Sequence, residues 1–296
     1  MSVLENKLQG WTGPSSNSEK EKQERTERMI REAVREHPAF EDCSLQVYAK
    51  GSYANNTNVR ADSDVDIAVQ CNEVVYYDSA DNSAGPEGGP YMGPWTPSQL
   101  RNELEAALRA KFPYQVDTSG STAIKVSSGS ARVEADVVPC FNYRYYFSSG
   151  GYRSGAKVFK KNMSSIENYP QQQVENGKYK NLNTHTRYKK AVRVMKRLEN
   201  AMVESGYHRE VPSFFVECLV YNVPNHILTR GSWVETVKGI LAHIYEALEG
   251  NEPSEESRRW LEVSECKFLF HSDQKWTRAD GQAFAYAGWN YLEFGK

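Results

Sequence analysis

The chain has 296 residues, of which 39% are hydrophobic and 25% charged, and its net charge at pH 7 is −2. This composition is typical of a water-soluble globular protein, and the length suits one large domain or two closely packed ones. A net charge so near zero argues against a protein that coats long nucleic acids, and the lack of an apolar run of about 20 residues argues against a membrane protein.

The N-terminal region predicts two segments of different character. Glycines and a proline interrupt the polar residues 1–18, which we expect to be irregular. Because this segment lacks the apolar core of a secretory signal, we expect a cytoplasmic protein. Residues 19–36, which follow Ser18, are typical of a long charged helix. The apolar stripe of this helix consists of Met29, Ile30, Ala33 and Val34.

A polar loop between two predicted strands carries the first candidate site residues. Alternation over residues 45–49 predicts a half-buried strand that leads into Gly51 and Ser52. Eleven residues later a second strand begins, in which Asp64 and Asp66 alternate with apolar neighbours. The two carboxylates therefore lie on one face, about 7 Å apart along the strand.

The paired carboxylates predict a metal site, because two like charges at this spacing require a cation. Oxygen ligands alone favour a hard ion, Mg²⁺ or Mn²⁺. The backbone N–H groups of Gly51-Ser52 and the serine hydroxyl suit the phosphates of a nucleotide. The alternative is a polar hairpin with a solvated acidic face, since a short Asp-x-Asp pattern by itself is common.

The middle of the chain predicts a long loop, a helix and two short strands. Residues 76–97 are rich in Gly, Pro, Asp and Asn, which indicates an exposed loop that is either a lid over the site or a simple insertion. Residues 99–111 predict a helix that opens with Pro97, and strands are expected at 115–117 and 123–126. The apolar side of this helix is formed by Leu100, Leu104, Ala107 and Leu108.

A further predicted strand supplies another carboxylate. Polar and apolar residues alternate from Arg132 onward, which places Glu134 and Asp136 on one face, and Pro139 is expected to end the strand. Either carboxylate could reach the first pair, and alternation does not decide between them. The aromatic residues 141–147 predict a β-hairpin with one buried face rather than a base-stacking surface.

The rest of the chain predicts a helical lobe, with the division expected between residues 1–160 and 161–296. Residues 157–188 are polar and basic, and we expect the chain to cross between the lobes there. Helices are predicted at residues 188–204, 214–223, 233–249, 255–269 and 277–294.

Two features of these predicted helices concern phosphate binding. Lys189, Arg193 and Lys196 share one helical face, which is either solvated surface or a counter-charge for a triphosphate. Ser213 is expected to be the N-cap of the helix that follows.

The spacing of these residues resembles a known signature, that of the DNA polymerase beta-like nucleotidyltransferase superfamily. Its parts here are Gly51-Ser52, an eleven-residue gap, Asp64-x-Asp66 and Glu-Ala-Asp136-Val-Val-Pro. Within the superfamily the chain is similar to the CD-NTases, the bacterial relatives of cyclic GMP-AMP synthase found in anti-phage (CBASS) operons. The resemblance extends over nearly the whole chain and selects Asp136 as the third carboxylate.

The resemblance implies an α+β fold, in which a mixed sheet flanked by helices packs on a mostly α-helical C-terminal lobe. The helix at residues 19–36 is then a long spine that joins both lobes. The implied catalytic and metal-binding residues, for two Mg²⁺ or Mn²⁺ ions, are Asp64, Asp66 and Asp136. The implied nucleotide-binding residues are Gly51, Ser52, Lys196 and Ser213.

The resemblance also implies a function: condensation of nucleoside triphosphates, ATP among them, into a cyclic di- or trinucleotide second messenger for anti-phage defence. Expected partners are an effector that senses the product and, as for some members, an enzyme that conjugates the C-terminus. Double-stranded DNA is not expected, because the His and Cys residues are not spaced for the zinc-bearing insertion of the animal enzyme. The alternatives are a template-independent transferase that makes linear oligonucleotides or modifies an RNA, small-molecule or protein acceptor, and an inactive nucleotide-binding scaffold.

Overall fold

The computed structural model describes residues 2–59, 64–81, 85 and 90–295, which fold into two compact units. The first, here called the sheet unit, comprises Ser16–Ala54 and Arg60–Pro170. The second, the helical unit, comprises Met1–Ser15, Asn55–Val59 and Gln171–Lys296. The sheet unit continues past residue 160, where sequence analysis placed the division, because the strand that ends at Asn168 still pairs with the sheet.

A mixed sheet forms the centre of the sheet unit. Its strands are β1 (Leu45–Ala49), β2 (Val65–Ser79), β3 (Val116–Asp117), β4 (Ile124–Val126), β5 (Ala135–Tyr146), β6 (Tyr152–Phe159) and β7 (Ser165–Asn168). Among the described residues these strands have the order β1-β2-β5-β4-β3, with β6 on β5 and β7 on β6. Strands β2 and β5 are parallel and the other pairs are antiparallel. The predicted α+β class with a mixed sheet is confirmed.

Helices occur in both units. In chain order they are α1 (Val3–Gly10), α2 (Asn17–Arg35), α3 (Gly51–Ala54), α4 (Pro97–Lys111), α5 (Pro170–Asn183), α6 (Arg187–Glu204), α7 (Ser213–Tyr221), α8 (Asn225–Leu228), α9 (Trp233–Ala247) and α10 (Arg278–Tyr291). None of the helices in the described part of the chain is both long and apolar enough to cross a membrane.

Strand β5 is longer than the sequence predicted, and the expectation that Pro139 ends it is wrong. Strand β4 pairs with β5 only as far as Val137, and β6 begins its pairing at Phe141. Pro139 lies in the stretch of the β5 edge that neither β4 nor β6 covers. Because proline has no amide N–H, it can occupy this position without the loss of a ladder hydrogen bond on that side. The aromatic residues beyond it form the predicted hairpin, with Tyr143 and Tyr146 buried.

Strand β2 also extends further than expected, through Ser79, because β5 continues to pair with it as far as Tyr146. The first residues of the predicted loop at 76–97 therefore belong to the sheet. Residues 82–84 and 86–89, on which the choice between a lid and an insertion depends, lie outside the described residues.

The core of the sheet unit contains the two apolar helix faces that the sequence predicts. Ile30, Ala33 and Val34 of α2 are buried together with the predicted face of α4. Helix α2 begins at Asn17, two residues earlier than expected, because Ser16 and Glu19 form a capping box. The Ser16 hydroxyl accepts from Glu19 N, and the Glu19 carboxylate accepts from Ser16 N.

The helical unit starts with a helix where an irregular segment was expected. The Ser2 side chain accepts from Glu5 N and caps α1, and Leu8 is fully buried in the core of this unit. The Glu5 carboxylate accepts hydrogen bonds from Trp233 N and Val234 N, both at 2.8 Å, at the start of α9. The polar composition concealed a helix that tertiary contacts stabilise.

Two further helix predictions need correction. Ser213 is not an N-cap: Pro212 occupies that position, Ser213 is the first helical residue, and no side chain in the described part of the chain caps α7. Residues 255–269 do not form a long helix, because Leu261 and Phe268 pair as an antiparallel bridge and Leu261 N donates to the Asn222 amide oxygen. By contrast α6 is confirmed, with its predicted apolar face buried at Ala191, Met195, Leu198 and Met202.

Candidate active site

The strand register of the sheet unit brings the three predicted carboxylates together. On the parallel strands β2 and β5, Asp66 and Asp136 are direct Cα partners, and neighbouring strands lie about 4.8 Å apart. Asp64 precedes Asp66 by two residues, so it belongs to the same face of the sheet. Their neighbours Val65 and Ala135 are fully buried on the opposite face. One face of the sheet therefore carries all three carboxylates.

The three carboxyl groups interact electrostatically. Burial is the main cause that raises the pKa of each above its usual range. Repulsion adds to it: Glu134 and, less strongly, Asp136 raise the pKa of Asp64, while Asp66 and Glu134 raise the pKa of Asp136. A cation placed among them would relieve this repulsion.

Two lysines already lie beside the carboxylates. Lys50 Nζ is 3.9 Å from Asp66 Oδ1, and Lys125 Nζ is 3.7 Å from Asp64 Oδ2 and 2.7 Å from Glu134 Oε1. Within the described ranges, no group of three or more acidic, His or Cys side chains is already gathered in the arrangement of a metal centre. Asp64 and Asp66 are each turned toward a lysine instead.

Asp136 differs from its neighbours in having an orphaned oxygen. Its Oδ1 atom is buried and, among the described residues, has no hydrogen-bond partner. Glu134 is the other carboxylate that the alternating pattern allowed as the third member of the site. Its carboxylate accepts a hydrogen bond from Lys125 Nζ. A buried carboxylate oxygen without a donor is costly unless a cation or water meets it. With three carboxylates as oxygen donors, the site fits a hard divalent ion such as Mg²⁺ or Mn²⁺.

Gly51 and Ser52 lie in the short turn α3, next to Asp66. Gly51 has φ +67, a left-handed conformation that glycine adopts without strain. A Cβ atom at this position would collide with Asp66 Oδ2. Lys50 N donates a 2.8 Å hydrogen bond to Asp66 O, which fixes the turn against the start of β2. Glycine is thus required here both by the backbone conformation and by the closeness of the carboxylate.

Lys196 and Ser213 lie in the helical unit. Ser213 is exposed at the first residue of α7. The Lys196 side chain is only 3% exposed, and its Nζ is 2.9 Å from Glu217 Oε2. The role of both residues in phosphate binding stays a prediction, and Lys196 additionally has a buried carboxylate partner.

The sequence pattern did not indicate the polar network around Glu217. Asn55 Nδ2 and Thr57 Oγ1 both donate to the Glu217 carboxylate, at 2.5 and 2.6 Å. Arg193, from the predicted basic stripe, donates to Thr12 O and Asn56 O instead of facing solvent. The available signal was Glu217 itself, a single charged residue inside a very apolar helix, which requires buried partners.

Carboxylates on neighbouring parallel strands, beside a glycine-serine turn, offer the oxygen donors and backbone N–H groups that metal-assisted transfer of a nucleotidyl group requires. Residues 175–293 match the model of the cGAS/DncV-like nucleotidyltransferase C-terminal helical domain. Two relatives named cyclic dipyrimidine nucleotide synthase CdnE, from Cecembia lonarensis and Legionella pneumophila, are 37% and 35% identical to the chain. The alignments cover 98% and 96% of the chain and the same shares of the relatives. The chain belongs to the CD-NTase family and is a nucleotidyltransferase.

Solved structures agree with this assignment. The CdnE cyclic dinucleotide synthase of Elizabethkingia meningoseptica, determined with GTP and Apcpp, has a TM-score of 0.80 and 29% identity, and the match covers 98% of this chain and 99% of that one. The CdnE c-UMP-AMP synthase of Rhodothermus marinus, determined with Apcpp and Upnpp, has a TM-score of 0.84 and 25% identity, with 100% and 98% covered.

Proposed function

We propose that this protein joins nucleoside triphosphates into a cyclic oligonucleotide, most simply a cyclic dinucleotide, that serves as a second messenger in anti-phage defence. The observation that carries the proposal is the direct pairing of Asp66 with Asp136 in the sheet, with Asp64 on the same face. The names of the relatives support cyclisation, since those from Cecembia lonarensis and Legionella pneumophila are both called cyclic dipyrimidine nucleotide synthase. An effector protein that senses the product is the expected partner.

The three carboxylates are the proposed catalytic and metal-binding residues. Mg²⁺ or Mn²⁺, two ions in all, would supply Lewis-acid chemistry that lowers the pKa of the attacking sugar hydroxyl and offsets the charge of the departing pyrophosphate. Asp136 offers an oxygen without a partner, and Asp64 and Asp66 offer further oxygens once their lysines move away. The repulsion among the three carboxylates is the source of the affinity for cations.

The turn at Gly51 and Ser52 is the proposed phosphate-binding element. Without a Cβ atom at Gly51, a phosphate can approach the backbone N–H groups of α3 closely. The Ser52 hydroxyl can donate to a phosphate oxygen. Lys196 and Ser213 remain proposed contacts to the donor phosphates, on the resemblance alone.

We propose that pyrimidine nucleotides are among the substrates. The relatives at 37% and 35% identity are named for dipyrimidine products, whereas a relative from Elizabethkingia meningoseptica at 31% identity is named cyclic dipurine nucleotide synthase. Incubation with each pair of nucleoside triphosphates, followed by mass spectrometry of the product, tests this choice. Products that contain only purines would contradict it.

Product analysis tests the proposed reaction. The wild type is incubated with all four nucleoside triphosphates and Mg²⁺ or Mn²⁺, and we expect a product that resists phosphatase but is cut by nucleases. The variant Asp64→Ala/Asp66→Ala should lose it. The matched control is Asp78→Asn, because Asp78 lies on the same strand but about 40 Å from Asp66 and bonds instead to Tyr143 OH. Linear or acceptor-linked products from the wild type would reject cyclisation.

A further inference from the structure

Lys125 occupies a position within the carboxylate face that the transfer reaction does not explain. On the antiparallel pair of β4 and β5, its Cα is the direct partner of Asp136. Its neighbours Ile124 and Val126 are fully buried. Because side chains alternate along a strand, Lys125 is on the same face as the carboxylates.

The Lys125 ammonium lies between two carboxylates and is closer to one of them, Glu134, than to the other, Asp64. Nζ is 2.7 Å from Glu134 Oε1, which is a hydrogen bond, and 3.7 Å from Asp64 Oδ2, which is an ion pair without one. An ammonium is a compact charge on a flexible stem, so it can shift between such neighbours. Asp64 thus interacts with a cation of the protein itself at the position proposed for metal binding.

This ion pair contributes little to stability. The side chains of Lys125, Glu134 and Asp64 are 42%, 32% and 38% exposed, and ion pairs at such positions are worth about 0–1 kcal/mol. A divalent ion bound to Asp64 would repel this ammonium, and its double charge makes that repulsion stronger than the attraction within the ion pair at the same distance. The arrangement therefore affects what Asp64 can bind more than how stably the unit folds.

We propose that Lys125 is a built-in cation that competes with the divalent metal for Asp64, and that Glu134 weakens this competition by holding the ammonium. The inference rests on the proposed metal-dependent function of the same site. A metal and an ammonium cannot both neutralise Asp64 at close range, so metal binding displaces Lys125 toward Glu134. Lys125 and Glu134 are accordingly positioning residues that set the affinity for metal.

Three variants separate the two roles. Lys125→Met removes the competitor and should tighten metal binding roughly tenfold. Glu134→Gln leaves the ammonium with Asp64 alone and should weaken metal binding. If Glu134 acts through Lys125, the double variant Lys125→Met/Glu134→Gln should bind as tightly as Lys125→Met.

The measurement is a titration with Mn²⁺ in the absence of nucleotide, followed by the electron paramagnetic resonance signal of the free ion. This titration measures metal binding without turnover. If the wild type made no cyclic product, the proposed function would be rejected, but the effect of Lys125 on metal binding could still be tested. The charge-matched control is Lys157→Met. Lys157 pairs with Asp78 and Glu167, and its Cα partner Phe141 is about 17 Å along β5 from Asp136.

The control should bind Mn²⁺ as the wild type does. Unchanged or weaker binding by Lys125→Met would overturn the proposal. So would a double variant that binds as weakly as Glu134→Gln, because Glu134 would then contribute to the metal site directly. Circular dichroism of every variant checks that the fold is retained, which the exposure of both side chains favours.

Discussion

Lys196 and Glu217 form an ion pair that is almost completely buried: Nζ and Oε2 are 2.9 Å apart, and the side chains are 3% and 1% exposed. Glu217 also accepts hydrogen bonds from Asn55 and Thr57. The pair thereby attaches the segment Asn55–Val59 to α6 and α7 within the helical unit. This segment directly follows the turn α3 in the chain, so the ion pair holds in place the residues that come just after Gly51 and Ser52.

Breaking this ion pair on one side should be much more damaging than removing both partners. Lys196→Met leaves Glu217 buried without its counter-charge, and we expect a loss of about 3–5 kcal/mol in the free energy of unfolding. In Lys196→Met/Glu217→Met neither charge of the pair remains, so the loss should be considerably smaller. Urea denaturation followed by tryptophan fluorescence measures both.

The same variants test whether Lys196 contacts a phosphate. If Lys196 acts by holding the segment Asn55–Val59, the double variant should regain a large part of the activity that Lys196→Met loses. If Lys196 contacts the donor triphosphate, the double variant should stay as inactive as the single one. Lys190→Met, a lysine from the same helix that is not part of this network, controls for the loss of a positive charge.

Glu217 should make stability depend on pH in the acid range. Burial raises the pKa of Glu217, but the Lys196 charge and the hydrogen bonds from Thr57, Lys196 and Asn55 outweigh it, and the pKa lies below its usual range. A carboxyl whose pKa is lowered by folding stabilises the protein above its unfolded pKa of about 4.3, and this contribution is lost as the pH falls below that value. We therefore expect the free energy of unfolding to fall more steeply in the wild type than in Glu217→Gln as the pH drops below about 4.3. The free energy of unfolding is measured by urea denaturation at each pH. If it had the same pH dependence in the wild type and in Glu217→Gln, Glu217 would not be the group responsible.

Gly51→Ala should affect activity beyond its cost in stability. Gly51 has φ +67, a conformation that costs an alanine about 1–2 kcal/mol. The added Cβ would also push the Asp66 carboxylate away, so nucleotide turnover should fall at least a hundredfold, since about 2.7 kcal/mol in the barrier suffices for that. Pyrophosphate release, measured together with thermal unfolding, reports both effects.

Gly150→Ala is the matched control for this variant. Gly150 also has a positive φ, of +89, but no atom of the described residues lies within 4 Å of the position of its Cβ. It should show the backbone strain without the loss of turnover. If the two variants lost turnover equally, the closeness of Gly51 to Asp66 would not be the cause.

The sequence predicts which side chains share a face but not which strands meet. Alternation placed Asp64 and Asp66 on one face of a strand, and Glu134 and Asp136 on another, and the structure agrees. The choice of Asp136 came from a resemblance, because the register that pairs it with Asp66 joins residues far apart in the chain. Lys125 was missed for the same reason: nothing local indicates that it lies opposite Asp136.

Removal of the Asp136 charge should separate stability from function. Asp136 is half-buried beside Asp66, and its buried Oδ1 atom has no hydrogen-bond partner among the described residues. Asp136→Asn therefore relieves a repulsion and should raise the melting temperature in EDTA. With Mn²⁺ at about a hundred times its dissociation constant, the wild type should gain about 2.7 kcal/mol. Asp136→Asn should gain much less and should lose turnover. Differential scanning calorimetry in EDTA and in Mn²⁺ measures both changes.

The control for this experiment is again Asp78→Asn, because Asp78 has a hydrogen-bond donor in Tyr143 OH. Asp78→Asn should lower the melting temperature slightly in EDTA and leave the stabilisation by Mn²⁺ unchanged. If Asp136→Asn kept the full gain from Mn²⁺, the metal would be bound elsewhere. The pairing of Asp66 with Asp136 would then have to be explained without a divalent ion, and the proposed transfer reaction would lose its main structural support.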